Sequence, residues 1–281
     1  MAIDAASHAP AAHPRRSAEL APARAAYHSA ERACAAAGAG GVETVVADHA
    51  RPDTLPTAFE GVDALFLLGA MSPAQTEHEL AVVAAARAAG VGRVVKLSVW
   101  RAPDRLTPIA QLHRPVEEAL EAAPVTWTFL RPNFYMQNFS RQMAAGIRAG
   151  VIAQPVSRAP ISFVDARDVA GVAATVLTSG GHDGRPYDLT GPRALTFEQV
   201  AETFSGALGH SVRFDPRSDE QARAGMLDRG LPPFYADALI DVSRAYRDGG
   251  AQRVTAAVEE LTGRPPRSLE QFIADHRAAF G

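Results

Sequence analysis

Short apolar segments alternate with segments of helical pattern between Val42 and Leu130, and this alternation constrains the fold more than any other feature. The apolar segments, each predicted as a strand, are 42–47, 63–68, 93–99 and 126–130. The segments predicted as helices lie between them, at 53–59, 74–89 and 108–122. Strands that alternate with helices form a parallel sheet covered on both faces, and the crossovers are right-handed. We therefore predict a doubly wound α/β domain with a Rossmann-like parallel sheet.

The flanking segments extend this pattern on both sides. Before it, the sequence predicts a short strand over 23–27 and a helix over 29–37. After it, we predict a helix over 140–149, a strand over 161–164, a helix over 165–178 capped by Asp165, a strand over 187–189 and a helix capped by Thr196. The remainder is rich in glycine and proline and predicts a small C-terminal substrate lobe. We expect an atypical segment over 1–22, a Rossmann-like core over 23–155, and the remaining core elements and substrate lobe over 156–281, interleaved in one structural unit.

Composition excludes several classes of partner and compartment. The chain has 281 residues and a net charge of -3, so we predict no nucleic-acid or anionic membrane partner. Its apolar runs are shorter than the roughly 20 residues of a membrane span. The single cysteine, Cys34, cannot form an internal disulfide, which favours a reducing compartment, and we expect a cytoplasmic monomer or homodimer. The spacing of histidine, cysteine and aspartate predicts no metal site.

Five segments, in this order and spacing, resemble the NmrA-like family of atypical short-chain dehydrogenases. They are GVDALFLLG (61–69), HELAVVAAARAAGVGRVVKLSV (78–99), HRPVEEALEAAPVTWTFLRPNFYMQNF (113–139), ISFVDARDVAGVAATVL (161–177) and YDLTGPRALTFEQVAE (187–202). The resemblance implies a Rossmann-type sheet, NADP(H) or NAD(H) as cofactor and a small-molecule substrate. It also implies one of two functions: a reductase of quinones or other small carbonyl compounds, or a regulator that binds the dinucleotide and catalyses nothing.

The N-terminal part departs from the family pattern. The family begins with a strand followed by G-x-x-G-x-x-G, whose glycines let the backbone approach the pyrophosphate. The first glycine of this chain is Gly38, and the cluster Gly38, Gly40 and Gly41 is placed to end a helix. The first strand of the sheet is therefore missing or altered. Three interpretations stay open: a misassigned or disrupted gene start, a dinucleotide-free role, or a loop without glycine that still binds.

The resemblance assigns cofactor contacts to several positions. His28 stands where members that prefer NADPH carry arginine, and Asp48 ends a strand near the expected adenine position; both also fit an ordinary surface position. Gly69 and Ala70 correspond to a loop against the ribose and nicotinamide, where glycine allows close approach. Another loop against the nicotinamide contains Pro132 and Asn133.

Candidate catalytic residues lie on the next strand and helix. Ser98 stands where classical relatives keep an active-site serine. Lys96, the only lysine, lies on the same face of the strand and is a candidate cofactor contact. A Tyr-x-x-x-Lys motif ending at Lys96 is excluded, because Gly92 occupies the tyrosine position. The predicted helix instead carries His113-x-x-x-Glu117, in which His113 is either a proton donor, with water as the alternative donor, or a structural hydrogen-bonding group.

Aromatic and amide side chains follow the strand over 126–130. Phe134, Tyr135 and Asn138 either line the substrate pocket or pack the lobe against the sheet. Together these residues predict an NAD(P)H-dependent reductase of a small hydrophobic carbonyl or quinone. The alternative is a non-catalytic dinucleotide-binding or regulatory protein that has lost the glycine-rich loop.

Overall fold

A computed structural model of the chain describes residues 23–27, 29–36, 42–156 and 158–281. The predicted atypical segment 1–22, His28 and the glycine cluster at 38–41 lie outside the described residues. The chain divides into two compact units, Met1–Asp48 and His49–Gly281.

The described part of the first unit contains a strand, a helix and a second strand. These are β1 (Arg24–Tyr27), α1 (Ala30–Ala36) and β2 (Glu43–Val46). β1 and β2 pair in parallel, from Arg24 opposite Glu43 to Tyr27 opposite Val46. An ion pair of 2.9 Å between Arg24 Nε and Glu43 Oε2 joins the two strands at one end. The predicted strands over 23–27 and 42–47 and the helix between them are confirmed.

The second unit is built on a parallel sheet. Its described strands are β3 (Ala64–Leu67), β4 (Arg93–Leu97), β5 (Thr126–Pro132), β6 (Val151–Gln154), β7 (Arg185–Leu189) and β8 (Arg213–Pro216). The strand order of the main sheet is β3-β4-β5-β7, and all of its pairs are parallel. β6 and β8 form a separate parallel pair. The predicted doubly wound, Rossmann-like α/β class is confirmed.

Ten helices are described in the second unit. They are α2 (Gln75–Ala88), α3 (Pro108–Glu121), α4 (Gln137–Arg141), α5 (Ala144–Arg148), α6 (Ala166–Thr178), α7 (Phe197–Leu208), α8 (Asp219–Asp228), α9 (Pro233–Arg247), α10 (Ala257–Thr262) and α11 (Leu269–Asp275). Local chemistry accounts for several helix starts. Asp165 accepts a hydrogen bond from Arg167 N, and Thr196 forms a capping box with Gln199, as the sequence predicts for these two caps.

The two faces of the main sheet differ in polarity. Because side chains alternate along a strand, Val95 and Leu97 of β4 point to the opposite face from Lys96. Val95 belongs to a buried apolar cluster with Leu130 and Val172 of α6, and Leu97 packs against it. Lys96 instead contacts residues of α2 and α3. The face under α2 and α3 therefore contains buried charges, and the face under α6 does not.

Three predictions about local structure were wrong, and one of them is the helix over 53–59, which is two short 3-10 turns, Pro52–Thr54 and Pro56–Phe59. The segment 161–164 is no strand but makes isolated bridges, Ile161 with Leu195 and Tyr135 with Val164. The single helix predicted over 140–149 is the pair α4 and α5. The predictions also omitted β6 and β8, since each has four residues and too short an apolar alternation to be distinguished from a loop.

Candidate active site

The loop that follows β3 lies at the carboxyl edge of the sheet, and several of its backbone N–H groups make no hydrogen bond within the described ranges. Leu68 is 56% exposed, one of two large apolar side chains that are exposed in the described ranges. Within those ranges, the backbone N–H groups of Gly69, Ala70 and Met71 donate no hydrogen bond to the protein. The carbonyl of Met71 accepts a 2.8 Å hydrogen bond from the Tyr235 hydroxyl of α9. In open α/β sheets ligands bind at this edge, and this loop has free donors to offer them.

Gly69 of this loop lies directly against the Glu79 side chain of α2. A Cβ atom added to Gly69 would stand 2.9 Å from both Cγ and Cδ of Glu79 and would overlap its carboxylate oxygen. The carboxylate itself is fixed, because Lys96 Nζ forms an ion pair with Oε2 and Gln75 Nε2 donates to Oε1 at 3.1 Å. The Lys96 and Glu79 side chains are fully buried. The loop therefore rests on a buried ion pair, and glycine is the residue that fits there.

His113 belongs to the same buried cluster. Its Nδ1 lies 3.1 Å from Lys96 Nζ, its Nε2 lies 3.1 Å from Gln75 Nε2, and the residue is 8% exposed. Burial and the positive charge of Lys96 hold the pKa of the His113 ring well below its usual value of 6.5. Burial also lowers the pKa of Lys96, against the opposing effect of the Glu79 carboxylate. His113 is therefore a neutral imidazole whose two nitrogens both face protein groups.

Glu117, one helical turn after His113, makes a second buried ion pair with the sheet. Arg131 of β5 donates to its two oxygens at 2.9 and 2.8 Å, and Arg114 Nη1 approaches Oε2 at 3.0 Å. Burial alone would raise the pKa of the Glu117 carboxyl, but the hydrogen bonds from Arg131, Ser98 and Arg114, together with the charge of Arg131, outweigh it and the pKa is lowered. The His113-x-x-x-Glu117 motif thus joins α3 to two strands, through Lys96 of β4 and Arg131.

Ser98 follows β4 on the same face as Lys96. The residue is 4% exposed, and its hydroxyl faces the Glu117 carboxylate, whose pKa it helps to lower. Its backbone N–H donates to the Leu130 carbonyl at 2.7 Å. The hydroxyl is thus buried beside Glu117 and does not lie on the open edge.

Asn133 connects the end of β5 to the C-terminal part of the chain. Its Nδ2 donates to Ser162 Oγ and to the Ala251 carbonyl, both at 2.9 Å, while its Oδ1 accepts from the Tyr246 hydroxyl of α9 at 2.9 Å. Asn133 is buried, and Tyr246 is too. All of these amide contacts are made within the protein, so the side chain fixes the position of α9.

The other residues predicted near the substrate lie around this connection. Pro132 is buried, and its carbonyl accepts from Trp100 N at 3.0 Å. Phe134 packs edge-to-face on Phe163 at 5.2 Å in the aromatic core. Tyr135 is half-buried beside the apolar cluster under α6, and burial raises the pKa of its hydroxyl. Asn138 is half-buried, with no side-chain hydrogen bond in the described part of the chain.

The structure brings together some predicted site residues and separates others. Gly69 and Lys96 meet at the Glu79 carboxylate, which sequence analysis did not single out, and His113 contacts Lys96 and Gln75. Asp48 is half-buried directly after β2 and belongs to the first unit. Gln75 and Tyr235 were also missed. Gln75 and Glu79 gave a signal, because they are polar residues on the apolar stripe of α2, at the spacing of one helical turn.

The described ranges contain neither a candidate membrane-spanning helix nor a candidate metal site. No helix there is long and apolar enough to cross a bilayer. No group of three or more His, Cys, Asp or Glu side chains there is placed to hold a metal ion.

The described residues fit the nicotinamide half of a dinucleotide. The carboxamide and ribose of that half carry hydrogen-bond acceptors, and the N–H groups of Gly69, Ala70 and Met71 are free donors. The absence of a side chain at Gly69 allows close approach, and exposed Leu68 provides an apolar surface beside the donors. The segment 1–22, where the family pattern has its pyrophosphate loop, lies outside the described residues.

Comparisons with known proteins match a family model and several reductases. The model of the NmrA-like family matches residues 19–273. The chain is 35% identical over 244 residues to an NAD(P)H azoreductase of Xenophilus azovorans, covering 86% of this chain and 85% of that protein. It is 39% identical over 243 residues to a (4-alkanoyl-5-oxo-2,5-dihydrofuran-3-yl)methyl phosphate reductase of Streptomyces griseus subsp. griseus, covering 85% of each. The NADPH-dependent quinone oxidoreductase of Escherichia coli, solved with NADPH, superposes with a TM-score of 0.83 at 27% identity, covering 90% of this chain and 89% of that one.

Proposed function

Since the chain belongs to the NmrA-like family, we propose that it is an NAD(P)H-dependent reductase of a small hydrophobic carbonyl or quinone. The two relatives at 35% and 39% identity are both reductases, which supports catalysis over a purely regulatory role. The names of the azoreductase and the quinone oxidoreductase both specify a nicotinamide cofactor. No observation on the described residues favours the regulatory alternative.

The observation that carries the proposal is the loop after β3. Its three consecutive N–H groups, at Gly69, Ala70 and Met71, are free and lie beside exposed Leu68. Unpaired donors at the carboxyl edge of a parallel sheet are what a bound nicotinamide and ribose require. A regulator and a reductase both need these donors, so the activity of the relatives decides between them.

A bound nicotinamide supplies the hydride to the substrate. We propose that the loop residues hold and orient this group through their N–H donors, while the Leu68 side chain excludes water on one side. The buried pair of Lys96 and Glu79 acts beneath them, by fixing the surface on which Gly69 rests. Preorganised donors of this kind contribute to catalysis because they need no rearrangement during the reaction.

The proton required by the reduced product has a different source from the histidine predicted above. His113 is buried and neutral, and each of its nitrogens already faces a protein group. A general acid must reach the substrate, and His113 does not, because both of its ring nitrogens face buried protein groups. We therefore propose that water donates the proton, and that His113 and Glu117 secure α3 on the sheet. We propose that Ser98, whose hydroxyl is buried, also has a structural role in this region.

The test is turnover by the full-length protein. Purified protein is mixed with NADPH, or in parallel with NADH, and with a small para-quinone or an azo dye, and absorbance at the nicotinamide band is followed. We expect oxidation that depends on both protein and acceptor, with loss of colour when the dye is used. A protein that binds the cofactor and reduces no acceptor of either class would contradict the reductase assignment and favour the regulatory alternative.

A further inference from the structure

Helix α9 bridges two loops at the carboxyl edge of the main sheet. Near its start, the Tyr235 hydroxyl donates to the carbonyl of Met71 in the loop after β3, at 2.8 Å. Near its end, the Tyr246 hydroxyl donates to Asn133 after β5, at 2.9 Å. The two tyrosines are separated by about 16 Å along the helix, at roughly 1.5 Å for each residue. The helix thus connects the C-terminal lobe to both loops through one tyrosine each.

The two connections differ in what they fix. Tyr246 and Asn133 are both buried, and that asparagine makes further hydrogen bonds within the protein. Tyr235 is half-buried, and its partner Met71 lies in the loop with free N–H groups. Within the described ranges, the only side-chain hydrogen bond to the backbone of residues 68–71 comes from Tyr235. The position of this loop therefore depends on the hydroxyl more than on any other polar side-chain contact.

Glu79 supports the loop at a second point. Its fixed carboxylate is packed against Gly69, two residues before Met71. The loop is thus held by a buried carboxylate at Gly69 and by the Tyr235 hydroxyl at Met71. A loop held at two points loses less conformational entropy when a ligand binds to its free donors.

We propose that Tyr235 is a positioning residue of the cofactor site, which links the C-terminal lobe to the loop that holds the nicotinamide half. This inference rests on the proposed function, since it assigns the free N–H groups of Gly69, Ala70 and Met71 to a nicotinamide cofactor. Tyr235 acts through Met71 and touches no reacting atom. Its removal should weaken cofactor binding, while the rate at saturating cofactor stays nearly unchanged.

The test compares two variants that each lose one tyrosine hydroxyl. Tyr235→Phe removes the bond to Met71, and Tyr187→Phe is the control, because its hydroxyl pairs with His182 Nδ1 at 2.9 Å and has no contact with the loop. The dissociation constant of NADPH is measured by fluorescence titration, and kcat and KM are measured with the acceptor that the wild type reduces. Carbon-13 methyl spectra of the five methionines report the surroundings of Met71 without cofactor.

In Tyr235→Phe we expect a dissociation constant for NADPH about two- to tenfold higher, the range for one hydrogen bond, and kcat within about twofold of wild type. The Met71 methyl signal should shift or broaden in this variant and stay in place in Tyr187→Phe. Equal NADPH affinities in the two variants would overturn the role of Tyr235 and leave the reductase assignment intact. A wild-type protein that binds neither NADPH nor NADH would overturn the proposed function, and this inference with it.

Discussion

Substitution of Gly69 by alanine tests whether the loop after β3 rests on a fixed carboxylate. The added Cβ would stand 2.9 Å from Cγ and Cδ of Glu79, where ordinary carbon contacts are about 3.5–4.0 Å. Gly69 has no positive φ, so the effect of alanine is steric and involves no backbone strain. Glu79 cannot retreat freely, because Lys96 and Gln75 hold its carboxylate in a fully buried position.

Overpacking of this kind costs about 1–3 kcal/mol of unfolding free energy. We expect Gly69→Ala to lose this amount in urea denaturation, and to bind NADPH more weakly because the loop must shift. Gly180→Ala is the matched control, since a Cβ there meets no atom within 4 Å and the residue has no positive φ. The control should be as stable as wild type or slightly more stable, because alanine restricts the unfolded chain.

The steric argument would be refuted by one result. If Gly69→Ala matches Gly180→Ala in both unfolding free energy and NADPH affinity, then Glu79 does not hold the loop in the way described. A loss of stability without any change in affinity would confirm the packing and separate it from the cofactor.

The remaining predictions concern the buried charges under α3. Lys96→Met strands the Glu79 carboxylate and should cost about 3–5 kcal/mol of unfolding free energy, while the double variant Lys96→Met, Glu79→Met should recover most of that loss in the same urea measurement. Wild-type stability in the single variant would contradict a buried ion pair. The folded-state pKa of His113 lies well below 6.5. Below pH 6.5 the His113 ring therefore becomes protonated in the unfolded chain while it stays neutral in the folded chain. The stability linked to this ring is therefore present above pH 6.5 and falls below it, by at most about 1.4 kcal/mol for each pH unit. His113→Gln should flatten that slope in unfolding measurements between pH 7 and 5.5, and an unchanged slope would show that His113 is not the group responsible.

The architecture of the sheet could be predicted because its signals are local. The strands β3, β4 and β5 are short and mostly apolar, and several helices have a recognisable start or stop, such as Asp165 before α6 or Gly90 after α2. The strands β6 and β8 gave no such signal, since their pairing depends on contacts between distant segments. The same limit applies to 161–164, whose apolar pattern reflects burial in the aromatic core without a neighbouring strand.

The sequence also predicts a candidate site, but not the contacts of its residues. Gly69 was predicted from the resemblance as a point of close approach to the cofactor; in the structure it also makes room for Glu79. Lys96 and His113 were predicted for cofactor binding and proton transfer, and the structure encloses both within one cluster. Which side chains pair across α2, α3 and the sheet depends on tertiary packing, and spacing along one element does not contain that information.

The most direct test of the account is whether the folded protein binds a nicotinamide dinucleotide. A ligand that binds only the folded state stabilises it, by about 2.7 kcal/mol at a concentration one hundredfold above its dissociation constant. We therefore predict a rise in the melting temperature of the full-length protein as NADPH or NADH is added, with saturation at high concentration. AMP serves as a control for binding that does not involve the nicotinamide half. A melting temperature unchanged at millimolar NADPH and NADH would contradict the assignment of the loop at Gly69, Ala70 and Met71 to a cofactor.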